Sequence, residues 1–302
     1  GYFRVDHTGT SEAEGDALIE NGKAQFLIVI PPDFTRSVVR GERPALLVSV
    51  DATDPSASGN AIAALNAVAG QALRQDLQGP LRSLQTAPAP YEVRIHRRYN
   101  PEGLSRYNIV PGLIGTILTM TMVMLTGLAM TRERERGTME NLLATPVRPS
   151  EVMVGKILPY VVMGYIQLAV ILLAAFALFQ VPMEGSMLLL MAMIGVFIIA
   201  NLAVGFTFST IARNQLQAMQ MTFFFFLPSM LLSGFMFPFR AMPVWAQRVG
   251  EVLPLTHFLR IVRGILLKGN SAPQVLGELW PMLAFMTVVS VVALKRYRQT
   301  LD

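Results

Sequence analysis

The feature that most constrains this chain is a series of apolar stretches, each near the length of one bilayer crossing. Five spans are read, at about 109–130, 157–179, 187–210, 219–238 and 279–294, and none holds Asp, Glu, Lys or Arg within those limits. About 20 apolar residues in a helix cross about 30 Å of hydrocarbon, and all but the last stretch reach that length. So many long runs argue against buried helices of a soluble protein. Composition agrees: 52% of the 302 residues are hydrophobic and 15% are charged, with a mean hydropathy of +0.45, where a soluble domain carries about 25% charged residues. The net charge of +5 is scattered between apolar runs, which fits a lipid bilayer as partner rather than nucleic acid.

Residues 1–108 have a different character. They carry turns, charge and short apolar runs such as Phe26–Ile30 and Ala45–Val50, which read as buried strands. Ser11 with Glu14 forms a capping box that opens a helix ending near Gly22. Ile62, Leu65, Ala69, Leu73 and Leu77 recur at helical spacing, so a longer helix is predicted from Ser56 to Gln78. Tyr91, Val93 and Ile95 alternate with Glu92, Arg94 and His96, the pattern of a half-exposed strand. The predicted fold class is an α-helical polytopic membrane protein with an N-terminal extracytoplasmic α/β domain.

The location of that domain follows from the basic residues in the connections. Segments 131–156, 211–218 and 295–302 hold nine Lys and Arg, against five in 180–186 and 239–278, which places the first set and the C-terminus in the cytoplasm. Residues 1–108 then lie outside. The chain opens at Gly1 inside an apparent strand, Tyr2–Val5, and an external domain ahead of five spans leads to the expectation of one further span upstream.

An energy source is hard to find. The spans hold no ionisable side chain to relay protons, which disfavours ion coupling. Gly22-Lys23 and Gly155-Lys156 are followed by Ala24 and Ile157 rather than Ser or Thr, so neither makes a phosphate-binding loop. His7, His96 and His257 lie far apart and read as lone surface residues, no metal site is expected, and the absence of Cys removes disulfides and thiolate chemistry. Asn201, in an apolar helix, reads first as an interhelical hydrogen-bonding group. Pro228 should kink the fourth span beside Ser229 and Ser233, and these four residues are the candidates for a substrate path or gate.

The segment Thr131–Lys156 extends the first span into water as a charged helix. Gly137 breaks it, Thr138 caps a second short helix with Met139, Leu142 and Leu143 on one face, and Pro146 ends that helix. Glu133-x-Glu135-x-Gly137-Thr138-x-Glu140-x-Leu142-Leu143-x-Thr145-Pro146-Val147 resembles the cytoplasmic loop of ABC-2-type ABC transporter permeases. Pro228-Ser-Met-Leu-Leu-Ser-Gly-Phe-Met-Phe-Pro238 and Arg263-Gly-Ile-Leu-Leu-Lys-Gly269 resemble later motifs of the same family, and Asn21-Gly22 with Ile30-Pro-Pro-Asp-Phe34 resembles its external domain.

The resemblance implies six spans, five of them here, in a dimeric permease, homo- or heterodimeric, bound to ABC ATPase subunits that hold ATP and Mg. It leaves room for a periplasmic adaptor and implies a bacterial inner membrane. It makes the loop 131–156 the coupling element, with Gly137, Thr138, Met139, Leu142 and Leu143 seated on the ATPase and Glu133, Glu135 and Glu140 as polar contacts or braces. No catalytic residue is expected on this chain. Residues 239–270 read as an external amphipathic segment. In it Phe258, Ile261, Val262 and Ile265 would lie in the interface while Arg260 and Arg263 reach headgroups or the external domain. The expected function is export of a lipophilic, amphipathic or polymeric substrate. A membrane-anchored sensor is the alternative, and it lacks an output domain; a membrane-embedded hydrolase lacks paired carboxylates or His in the spans.

Overall fold

The computed structural model describes residues 3–73, 90–136 and 149–299. The chain divides into two compact units, Gly1–Tyr107 and Asn108–Asp302.

The first unit is a three-stranded sheet with helices. Helix α1, Glu12–Glu20, opens with the reciprocal cap: Glu14 N donates to Ser11 Oγ at 3.3 Å and Ser11 N to Glu14 Oε2 at 3.0 Å. Strand β1 (Phe26–Val29), short helix α2 (Phe34–Val39), strand β2 (Ala45–Asp51), helix α3 (Pro55–Ala72) and strand β3 (Glu92–Arg98) follow. Asp54 caps α3 by accepting from Ser56 N and Ala57 N. The sheet order is β1-β2-β3, with β1 antiparallel and β3 parallel to β2. Val48, Val50, Ile62 and Leu65 form the core, joined by Phe26, Leu46, Val93 and Ile95, so α3 buries its Ile62–Leu65 stripe against the sheet. One expectation changes: Phe3–Val5 form no strand, and the Phe3 ring meets the Phe26 ring edge-on. Leu77 and Gln78, the expected end of α3, lie outside the described residues.

The second unit is helical: α4 (Arg106–Glu135), α5 (Pro149–Ala177), α6 (Met187–Ile211), α7 (Gln215–Leu232), α8 (Val244–Gly250), α9 (Pro254–Arg263) and α10 (Ala272–Gln299). Among the described residues four helices are long and apolar enough to cross a membrane: Arg106–Glu133, Ile157–Ala177, Met187–Ile211 and Ala272–Arg296. The span expected at 219–238 is not among them. Gln215, Gln217 and Gln220 dilute α7 at its start, and the chain turns away after Leu232 through Gly234, whose φ of 86° is left-handed. The last span begins earlier than 279 and so takes in Glu278.

Helix α6 is the centre of this unit. Phe197, Ile198, Leu202 and Phe206 are fully buried on it, whereas α5 turns Leu158, Val162, Ile166, Val170 and Leu173 outward, an apolar face suited to lipid. Small residues let the helices close up. A Cβ at Gly205 of α6 would stand 2.5 Å from the Val123 carbonyl oxygen of α4, so only glycine fits there. Gly205→Ala should destabilise the unit by about 1–3 kcal/mol. Gly155→Ala, where a Cβ meets nothing within 4 Å, should be neutral or stabilising by up to about 1 kcal/mol. Thermal unfolding of both variants in one detergent checks the contrast.

Candidate functional site

Gly137, Thr138, Met139, Glu140, Leu142 and Leu143 lie outside the described residues. The described part of the loop connects α4 to a second helix. Glu135, on the last turn of α4, accepts from Gln215 N at 2.8 Å and from the Gln215 side chain. These bonds hold its carboxyl below the usual Glu range and satisfy an amide at the start of α7. Glu133 is half-buried one turn away from the exposed end of that helix.

Of the four path candidates, Asn201 lies on α6, while Pro228, Ser229 and the capping Ser233 lie together at the end of α7. Asn201 is fully buried, and its amide donates to the Phe197 carbonyl of its own helix at 2.8 Å while Oδ1 has no partner. Helix α7 runs on through Pro228 to Leu232. Ser229 and Ser233 are buried, and their hydroxyls donate to the carbonyls of Phe225 and Met230.

Residues 239–270 depart most from expectation. Phe258, Ile261, Val262 and Ile265 are at most 2% exposed, so α9 is enclosed within the unit rather than laid along an interface. Phe258 stacks on Phe197 of α6 with centroids 3.8 Å apart, and a Cβ at Gly115 of α4 would touch Leu255 and Phe258. A ten-residue helix with two arginines can be buried because each guanidinium reaches an acceptor within the unit, although Arg263 Nε has none. Arg263 donates to the Gly234 carbonyl, and Arg260 grips Glu251 through Nη2 at 2.6 Å and Glu278 through Nη1 at 3.2 Å while lying over the Phe239 ring. Both arginines were expected to face headgroups or the external domain; each instead binds groups of its own unit.

His257 completes a charged cluster. Far from being a surface residue, it is 4% exposed, with Nδ1 2.6 Å from Glu278 Oε2 and Nε2 2.8 Å from the Glu251 carbonyl oxygen. Burial opposes its charge, but the bonds to Glu278 and to the Glu251 carbonyl outweigh burial and raise its pKa above the ordinary histidine value. Sequence reasoning missed Glu278 because it lies one residue before the assumed span, and missed the pairing because twenty-one residues separate it from His257. The available signal was the i, i+3 spacing of His257 and Arg260 on one helix face.

Arg260→Ala should remove the guanidinium that pairs with both Glu251 and Glu278 and cost roughly 1–3 kcal/mol, below the figure for a fully buried pair because about a third of the Arg260 side chain meets solvent. In a double-mutant cycle with Glu251→Gln, unfolding in detergent should give a coupling energy of about 1 kcal/mol.

The description "ABC-2 family transporter protein" belongs to a family model that matches residues 1–295. The chain is similar to the Inner membrane transport permease YhhJ of Escherichia coli (strain K12), 33% identical over 305 residues that cover 95% of this chain and 76% of the relative. It is similar to two Probable multidrug ABC transporter permeases of the same strain. YbhS is 32% identical over 84% of this chain and 67% of the relative, and YbhR is 29% identical over 93% and 75%.

Proposed function

The chain belongs to the ABC-2 transporter family and is a membrane permease subunit of an ABC exporter, and on that premise we propose how it is oriented, coupled and loaded. The observation that carries the reading is a family match across residues 1–295 in a chain whose described residues hold four apolar candidate spans. ATP is hydrolysed on a separate ABC ATPase subunit, which holds ATP and Mg, and the permease works beside a second permease subunit. The substrate is a lipophilic or amphipathic molecule of drug-like character. Two relatives that carry "multidrug" in their names support that class.

In this reading α7 crosses as a fifth span, which its run of four Phe, 223–226, supports. Residues 1–108 face outward, and the loop 131–156 and the C-terminus face the cytoplasm, as the excess of Lys and Arg supports. Because this chain has no Cys, single substitutions Ser56→Cys, at an exposed position of the first unit, Ser150→Cys and Thr300→Cys report sidedness directly. An impermeant thiol reagent on intact cells should label only the first; labelling at Ser150→Cys without permeabilisation reverses the orientation.

The coupling element is the segment Gly137–Thr145. Leu142→Asp or Leu143→Asp would put a charge on the apolar face that enters the ATPase subunit, where an unpaired buried charge costs several kcal/mol. Both should abolish co-purification with the ATPase subunit and its substrate-stimulated ATP hydrolysis while the permease still inserts. Glu140→Ala, on the rim, should weaken assembly by less than about 1 kcal/mol. Full assembly and stimulation in both Leu variants would reduce the loop to a connector.

A further inference from the structure

Glu278 lies within the helix of the last candidate span, His257 and Arg260 converge on it, and Glu251 binds both of them from the other side. An ionisable side chain within an apolar span calls for a function and a partner. The hydrogen-bond geometry supplies both. Each ring nitrogen of His257 faces an acceptor, Nδ1 the Glu278 carboxyl and Nε2 the Glu251 carbonyl oxygen. A neutral imidazole has one N–H and one lone pair. Between a carboxylate and a carbonyl, a neutral ring would therefore set lone pair against lone pair at one of the two contacts. Both contacts are satisfied only when the pair carries one more proton, on the ring or on the Glu278 carboxyl.

We propose that His257 and Glu278 form a proton-binding site that locks the buried helix α9 to the last span, and that loss of the proton frees α9. The charged groups facing His257 among the described residues are Glu278 from α10, the Glu251 carboxylate 3.8 Å from Nε2, and Arg260 on its own helix. The Arg260 guanidinium stays charged throughout this range, so the proton shared by His257 and Glu278 is the one charge of the cluster that changes. The raised pKa of His257 sets the sign. The stabilisation is complete below the ordinary His pKa and is lost as pH rises through the higher folded value. Opening would separate α9 from Phe197 of α6 and Gly115 of α4 as well, because the same helix seats against both.

The site and its test concern this chain alone and stand apart from the transport reading. Thr256, fully buried and adjacent to His257, reports α9 opening when changed to Thr256→Cys in this Cys-free chain. A small methanethiosulfonate reagent is applied to the full chain in membrane vesicles between about pH 6 and about pH 9, a range that brackets histidine titration. Labelling is divided by that of Ser271→Cys, an exposed position, which removes the pH dependence of the thiol itself. The ratio should climb by up to about tenfold per pH unit between the ordinary histidine pKa and the higher folded one, the slope of one titrating group, and level off above it. In Glu278→Gln the amide can donate or accept, so it pairs with a neutral ring and the ratio should be flat; His257→Gln, titration-silent, should also be flat. Either variant that inserts normally suffices. A flat ratio in the parent, or a rise that persists in these variants, overturns the proposal.

Discussion

Hydrocarbon offers no water to a polar group, so each amide, carbonyl, hydroxyl or charge inside the second unit needs a partner from the chain itself. That requirement selects helices, whose backbones satisfy themselves, and it directs the side chains. Thr116, Thr119, Thr126 and Thr131 of α4 each donate to the carbonyl four residues earlier. Other polar groups join one helix to another: besides the Glu135 and His257 contacts, Thr121 reaches Gln167, Tyr165 the Met191 carbonyl and Thr207 the Val289 carbonyl. Shape does the remaining work, through glycines such as Gly195 against Tyr165 and Gly205 against Val123.

The same requirement explains why α9 can sit where it does. Three of its ten residues carry an ionisable group, yet each finds an acceptor or an opposite charge: Arg263 on Gly234, Arg260 on two carboxylates, His257 between Glu278 and the Glu251 carbonyl. An apolar helix of equal volume would hold the position with less desolvation. Charged groups kept at such a position favour control over strength.

The periodicity of α3, the Ser11–Glu14 cap and the three strands were legible in the sequence because each is set by local spacing. The apolar spans were legible for the same reason, although α7 fell short once its glutamines counted against it. What spacing does not encode is pairing across the chain. Arg260 and Arg263 alternating with Phe258, Ile261 and Val262 describe an interfacial helix as well as a buried one, and only Glu251, Glu278 and Gly234, far off in sequence, decide between them. Asn201 was legible as a polar group in an apolar helix, but its bond to Phe197 and its unpartnered oxygen were not.

Glu135 joins the end of α4 to the start of α7, and this small knot has mechanical meaning. Helix α4 has 30 residues, about 45 Å at about 1.5 Å per residue, and in the coupling proposed above its load would enter beside the knot. A tug on the chain just past Arg136 is then shared between two rods from a common pivot, like one hand pulling two oars lashed at the grip. Because α4 also bears on α6 at Gly205, with backbone nearly against backbone, torque entering at one end is conveyed across the helix bundle with little slack.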